Sequence, residues 1–310
     1  MEHISKRLKQ DAKNFINQPM GISTGFKDLD EALWGFQPQK LMVIGGRPGQ
    51  GKSGLMGDLI LATSREVPVG VFSCEMPPEQ FNPRLACNIA CLNYHAVRRG
   101  KISATEEDNY TEALDQIESL PIIVDYSNGI IGTDEYWIKA RHIDPKSVID
   151  YKFSEMVKQG CKIIYVDYLQ LVTHIDKSKK DRRLEVGKIA EILRDYAKSY
   201  GVTVVLLSQL RRFDQGRLYG DEPPVPTMDD LKESGEIENH SDIVILLHRP
   251  QFYNKTKELS FNNIIEEDAS LIIEKNRDGP TGSIAVDWHG YAMSYKDKNG
   301  KKEYLEEVPF

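Results

Sequence analysis

The sequence predicts an α/β fold: a mostly parallel central sheet, a hairpin at its C-terminal edge and a short helix ahead of it. Three observations lead there. Short runs rich in Val and Ile alternate with helical patterns, as in a parallel sheet covered on both faces. The run Leu41-Met42-Val43-Ile44 leads straight into Gly46-Arg47-Pro48-Gly49-Gln50-Gly51-Lys52-Ser53, a loop form that joins a buried strand to a helix. After Arg277 the style changes to a tight turn followed by alternation, which marks a hairpin.

Taken in order, residues 1–19 form a separate element. Ile4, Leu8, Ala12, Phe15 and Ile16 recur at helical spacing, with Lys6, Arg7, Lys9, Gln10 and Lys13 on the other face and Pro19 as the stop. Residues 20–310 form one α/β domain. Its expected strands are Leu41 to Ile44, Val69 to Ser73, Ile122 to Val124, Ile163 to Val166, Thr203 to Leu207, Ile243 to Leu247 and Ser270 to Glu274. Gly279-Pro280-Thr281-Gly282 is the expected turn into Ser283 to Trp288. The polar stretches Asp214 to Thr227 and Asn254 to Asp268 read as loops, and Lys296 to Lys302 as a solvated turn.

A composition of 40% hydrophobic and 28% charged residues suits a soluble globular chain with a sizeable core. The net charge of −7 gives no general attraction to a nucleic-acid backbone, so such a partner would have to meet a local basic surface. Cys74, Cys87, Cys91 and Cys161 form no C-x-x-C pair, and no two histidines have zinc-ligand spacing. Cys87 and Cys91 fall on one helix face and read as small buried side chains. No signal-peptide core and no membrane-length apolar run is present, so a reduced, cytoplasmic protein without a membrane partner is expected.

The loop from Gly46 to Ser53 carries the first chemistry. Its backbone N–H groups and the following helix N-terminus face one phosphate chain, Lys52 adds a cation, and the Ser53 hydroxyl can join a Mg²⁺ shell. Average residue usage yields this pattern by chance in roughly one chain in a hundred of this length. Lys162 to Leu171 supplies the second landmark, an apolar strand ending in Asp167, where an open parallel sheet presents its ligand crevice. Two further strands end in polar groups, Glu75 after Val71-Phe72-Ser73-Cys74 and Gln209 after Val205-Leu206-Leu207-Ser208. A carboxylate there can polarise an attacking water, and an uncharged amide can sense a phosphate by hydrogen bonding.

Six segments in series resemble the ordered motifs of the DnaB-type hexameric replicative DNA helicases. They are Gly46 to Ser53, Ser73 to Pro77, Asp167 to Leu171, Leu207 to Leu210, Asp230 to Gly235 and Lys275 to Gly282, and the likeness extends over about residues 20–295. The resemblance implies a RecA-like P-loop ATPase core, assembled as a homo-oligomeric ring, a hexamer in this family, around single-stranded DNA. It implies ATP and Mg²⁺ as cofactors, 5′ to 3′ movement, and a helicase loader or other replisome proteins as partners. Carried over by position, Lys52 and Ser53 bind phosphates and Mg²⁺, Asp167 supports the metal, Glu75 is the base and Gln209 the γ-phosphate sensor. Lys275 and Arg277 match a pair that reaches the neighbouring subunit's nucleotide, and Lys232, Glu233 and Gly235 match the loop that follows the DNA backbone.

Some features depart from the family pattern. Where full-length bacterial members have a helical domain that recruits primase, this sequence has only helix 1–19, which resembles the family's linker helix. That reduction fits a compact phage- or plasmid-encoded helicase. An apparent insertion spans Tyr136 to Tyr151, and Lys232 stands where arginine is common, keeping the charge but losing the planar fork. The basic run Lys177, Lys179, Lys180, Arg182 and Arg183 is either a channel loop or a solvated one. The alternatives are a RecA-like recombinase or clock-type ATPase, which would not carry Asp230 to Gly235 and Lys275 to Gly282 in this form, and a helicase-like adaptor without motor activity. An adaptor has no need of Glu75, Asp167 and Arg277 together.

Overall fold

The computed structural model describes residues 19–126, 145–167, 182–211, 225–231, 234–253 and 266–298, with residues 7, 8, 12, 13 and 16 ahead of them. Nine strands join into one sheet: β1 Leu41–Gly46, β2 Val69–Ser73, β3 Ile122–Asp125, β4 Ile163–Asp167, β5 Thr203–Gln209, β6 Ile243–His248, β7 Glu266–Asn276, β8 Gly282–His289 and β9 Ser294–Asp297. Their order across the sheet is β3-β2-β4-β5-β1-β6-β7-β8-β9. Pairing is parallel from β3 through to β6 and antiparallel from β6 to β9. The helices are α1 Lys27–Leu33, α2 Lys52–Thr63, α3 Pro78–Ile89, α4 Tyr94–Arg98, α5 Ala104–Ser119, α6 Pro145–Lys158, α7 Arg182–Tyr200 and α8 Ser234–His240.

The unbroken apolar runs of β1, β4 and β6 have a direct cause: every residue of these strands is buried, because helices cover both faces. Alternate residues of β1 enter opposite cores. Met42 and Ile44 join Leu55, Leu59 and Ile60 of α2 on one side, while Leu41 and Val43 join Ile189 and Leu193 of α7 on the other. Strand β1 therefore lies at the middle of the molecule, and the loop after it opens at the carboxyl ends of the parallel strands.

The expected strands are present, with differences at the edges. Strand β7 begins at Glu266, so the last residues of the expected loop Asn254 to Asp268 belong to the sheet. Lys296 and Asp297, expected in a solvated turn, lie in β9 instead, where Tyr295 pairs with Trp288 and is fully buried. A four-residue strand with one apolar anchor leaves too short an alternation to read. The end of the apparent insertion, from residue 145 on, belongs to helix α6, whose Phe153 stacks on Phe72 at 5.2 Å between centroids. Helix α3 ends at Ile89, so Cys87 is buried within it while Cys91 lies beyond it, exposed and left-handed at φ 52°. The two do not share a helix face. In the N-terminal element Leu8, Ala12, Lys13 and Ile16 are helical, with Leu8 and Ile16 exposed. The rest of that helix, most of Asp214 to Thr227 and most of Lys177 to Arg183 lie outside the described residues. No described helix is long and apolar enough to cross a membrane.

Candidate active site

The loop between β1 and α2 turns through two left-handed glycines, Gly49 at φ 80° and Gly51 at φ 89°. At Gly51 a Cβ would also stand 2.7 Å from the Trp288 ring, so both the backbone conformation and the space demand glycine there. Neighbouring elements fix the loop from outside. Tyr295 donates through its hydroxyl to the Gln50 carbonyl, Gln50 Nε2 donates to the Tyr253 hydroxyl at 2.8 Å, and an Arg249 guanidinium nitrogen donates to the Gly49 carbonyl at 3.2 Å. Arg249 is itself held by Glu267 at 2.8 Å and lies over Trp288, 4.5 Å from the ring centroid. Lys52 opens α2 and folds back, its Nζ donating to the Gly46 carbonyl at 2.8 Å. Burial lowers the pKa of Lys52, while Asp167 and Glu75 pull it the other way.

Strand register brings the remaining polar groups to the same end of the sheet. Ser73 lies beside Asp167 in the β2–β4 pair and Gly46 beside Gln209 in the β1–β5 pair. Cys74 N–H donates to the Asp167 carbonyl at 2.8 Å, and Ser73 Oγ to the Met76 carbonyl at 2.6 Å, which shapes the turn that presents Glu75. The Ser53 hydroxyl donates to Asp167 Oδ2 at 3.1 Å. Asp167 is fully buried, and its pKa is pushed up to about 7 by that burial and by the nearby Glu75 carboxylate, against the pull of Ser53, Lys52 and Arg84.

Gly51, Lys52, Ser53, Glu75 and Gln209 line one cavity of about 460 Å³, and buried Asp167 lies behind Ser53. Sequence reasoning missed other walls of the cavity. Gln80 and Arg84 enter from α3, Trp288 from β8 and Met293 from the β8–β9 turn. Gln80 and Arg84 stand four apart on a helix, which puts them on one face, and this spacing after Glu75 was the available signal. For Trp288 and Met293 no local signal exists, because only the antiparallel return of the sheet carries them over the loop. Buried Asp58 of α2 secures that return: its carboxylate accepts from Asn88 Nδ2, Ser294 Oγ and Tyr295 N–H, each at 2.6 Å.

Lys275 and Arg277 do not join this cavity. Strand β7 runs antiparallel to β6, so Lys275 sits opposite Val244 and Asn276 opposite Ile243, at the amino ends of the parallel strands and a strand's length from the phosphate loop. Lys275 Nζ donates to the Glu238 carbonyl, and Arg277 pairs with buried Asp242 at 3.5 Å and donates to the Asn239 carbonyl at 3.0 Å. Burial and the adjacent Arg277 charge lower the pKa of Lys275. Lys232 and Glu233 lie outside the described residues. Gly235 lies near the start of α8, exposed, with no heavy atom within 4 Å of where a Cβ would stand.

The residues present fit a magnesium nucleoside triphosphate. The glycine turns leave a backbone cradle, and Lys52 faces it. Asp167 Oδ1 is buried and has no hydrogen-bond partner among the described residues. An orphaned carboxylate oxygen beside a serine hydroxyl is a hard oxygen donor set suited to a divalent cation.

Comparison with known proteins agrees with this geometry. The family model described as DnaB-like helicase C terminal domain matches residues 21–297. The chain is 33% identical over 268 residues to the replicative DNA helicase DnaC of Bacillus subtilis (strain 168), covering 86% of this chain and 54% of the relative. Identity to the replicative DNA helicase DnaB of Geobacillus stearothermophilus is 34%, with the same coverage. The chain thus spans about half the length of these curated relatives. Among solved structures it superimposes on a DnaB-like replicative helicase, described together with its interactions with primase, with a TM-score of 0.78 at 23% identity. That superposition covers 96% of this chain and 67% of the other, a likeness of fold. With the family model matching most of its length, the chain belongs to the DnaB-like helicase C-terminal domain family.

Proposed function

We propose that the chain is the motor domain of an ATP-dependent replicative DNA helicase that works as a homo-oligomeric ring on single-stranded DNA. The observation that carries this reading is the convergence of Lys52, Ser53, Glu75 and Gln209 on one cavity at the carboxyl ends of the parallel strands, with buried Asp167 hydrogen-bonded to Ser53 directly behind it, in a chain of this family. In this reading the backbone of Gly46 to Gly51, with Arg47, Pro48, Gly49 and Gln50, wraps the triphosphate. Lys52 neutralises its outer phosphates, and Ser53 and Asp167 hold Mg²⁺. When bound, the cation supplies charge neutralisation at the phosphate oxygens. Glu75 accepts a proton from the attacking water, and Gln209 hydrogen-bonds the terminal phosphate.

Lys275 and Arg277 act across a subunit boundary. Their position at the far end of the sheet supports this, because they cannot reach their own chain's phosphate loop without breaking the β6–β7 pairing. Hydrolysis then requires assembly, since the developing charge is neutralised in trans. Lys232, Glu233 and Gly235 contact the DNA backbone. The exposed, open Gly235 supports this, since a residue without a Cβ lets a strand approach closely. Residues 1–19 serve as a linker helix between subunits, for which the exposed Leu8 and Ile16 offer an apolar face. Loader or other replisome proteins complete the partners, in the cytoplasm.

Unwinding of a forked duplex, with and without ATP and Mg²⁺, tests the proposal. Strand separation that needs both is expected; nucleotide turnover with no unwinding under any loading condition would reduce the chain to an ATPase of other purpose.

A further inference from the structure

Arg47 is the one cation of the phosphate loop that points away from the cavity. It is buried, with an exposure of 5%, and its guanidinium is caught between two elements. On one side it donates to the Tyr253 hydroxyl and lies 5.5 Å from the Tyr253 ring centroid. On the other it pairs with Asp230 Oδ2 at 3.5 Å. Asp230 closes the short helix Met228–Asp230, where the same carboxylate accepts from Thr227 N–H at 3.1 Å. The backbone is joined at this point as well. Arg211 N–H donates to the Asp230 carbonyl at 2.8 Å, Leu231 bridges to Leu210, and Leu210 N–H donates to the Gly46 carbonyl at 3.1 Å.

Asp230 therefore sits where the phosphate loop, the end of the strand bearing Gln209 and the segment leading to α8 meet. In sequence it stands two residues before Lys232 and five before Gly235. We propose that Asp230 is a positioning residue that couples DNA engagement to the nucleotide site through the Arg47 guanidinium. The inference rests on the functional reading above and adds a specific route to it. Arg47 is buried and Asp230 is a counter-ion to it, so separating the two weakens the compensation of a buried charge, and a displacement of the 228–231 segment is thereby passed to Arg47 and to the loop that holds the phosphates. Tyr253 holds the opposite side of the loop through Arg47 and Gln50. Asp230 does not line the cavity.

The test compares Asp230→Asn, Asp230→Glu and Tyr253→Phe in the full chain, measuring ATP hydrolysis with and without a single-stranded oligothymidylate. Asparagine can still accept from Thr227 N–H but loses the charge that holds Arg47. For Asp230→Asn, kcat and KM for ATP without DNA should stay close to wild type and oligothymidylate affinity should be kept, while stimulation by DNA falls at least about fivefold. Asp230→Glu should restore part of the stimulation. Tyr253→Phe, which lacks the link to the 228–231 segment, should keep the stimulation ratio. Wild-type stimulation in Asp230→Asn would overturn the inference, as would basal and stimulated rates falling in equal proportion, the mark of a structural role. Absence of stimulation in the wild type would overturn the inference together with the DNA-motor reading, whereas loss of coupling in Asp230→Asn alone would leave both standing.

Discussion

Ser53 and Asp167 are 114 residues apart in sequence and 3.1 Å apart in space, the serine hydroxyl donating to the aspartate carboxylate. That one contact joins the first turn of α2 to the end of β4 and leaves a second, buried carboxylate oxygen without a partner among the described residues.

Replacement of Asp167 by Asn should separate stability from activity. Burial pushes the carboxyl pKa up to about 7 from its ordinary 3.8, so the stabilising contribution of the protonated form is complete below 3.8 and is lost as the pH rises through about 7. In Mg²⁺-free buffer at pH 8 the Asn variant should therefore melt above wild type, more stable by up to about 4 kcal/mol, and the gain should shrink toward pH 4. Mg²⁺-dependent hydrolysis should be lost. A variant less stable than wild type at pH 8 would contradict the picture of an uncompensated carboxylate.

Glu75→Gln should leave nucleotide binding intact, because Glu75 is exposed and outside the phosphate loop. Its turnover should drop by about two to four orders of magnitude, the usual value of a positioned base. Equilibrium binding of a fluorescent nucleotide beside steady-state hydrolysis checks both halves. Retained hydrolysis would move the base to another residue.

Lys52→Ala and Arg277→Ala should each hydrolyse ATP poorly, the first from lost phosphate binding and the second with binding preserved. Mixed together they should regain activity, since some interfaces then set an intact Lys52 against an intact Arg277. Arg277→Ala with undiminished turnover would refute action in trans.

Asp58→Ala should strip three donors, on Asn88, Ser294 and Tyr295, of their common acceptor. Each buried donor left unpaired costs about 1 to 3 kcal/mol, so the melting temperature should fall. KM for ATP should rise more than kcat falls, because the loosened β9 carries Tyr295 and the Trp288 wall away from the phosphate loop. Unchanged KM in a folded variant would show that β9 is not part of the nucleotide site.

Single-stranded DNA should stimulate hydrolysis and bind with a steep salt dependence and little sequence preference, as expected of contacts to phosphates. Titrations at two salt concentrations with homopolymer and mixed-sequence oligonucleotides measure this. Salt-independent binding would count against the DNA-backbone role given to Lys232, Glu233 and Gly235.

The sequence by itself determined eight of the nine described strands, β1 to β8, together with the phosphate loop and the identity of the groups at the strand ends. Each rests on short-range physics: continuous burial dictates Val- and Ile-rich runs, and the left-handed turns at Gly49 and Gly51 favour glycine. Only the tertiary structure decided which distant groups meet. Trp288 and Met293 reach the cavity because β8 and β9 return antiparallel across the sheet, and Lys275 and Arg277 are kept from it because β7 runs the other way. Strand direction and register are set by the packing of the whole sheet, and a four-residue strand such as β9, anchored by a carboxylate 236 residues earlier, carries no periodicity of its own to announce them.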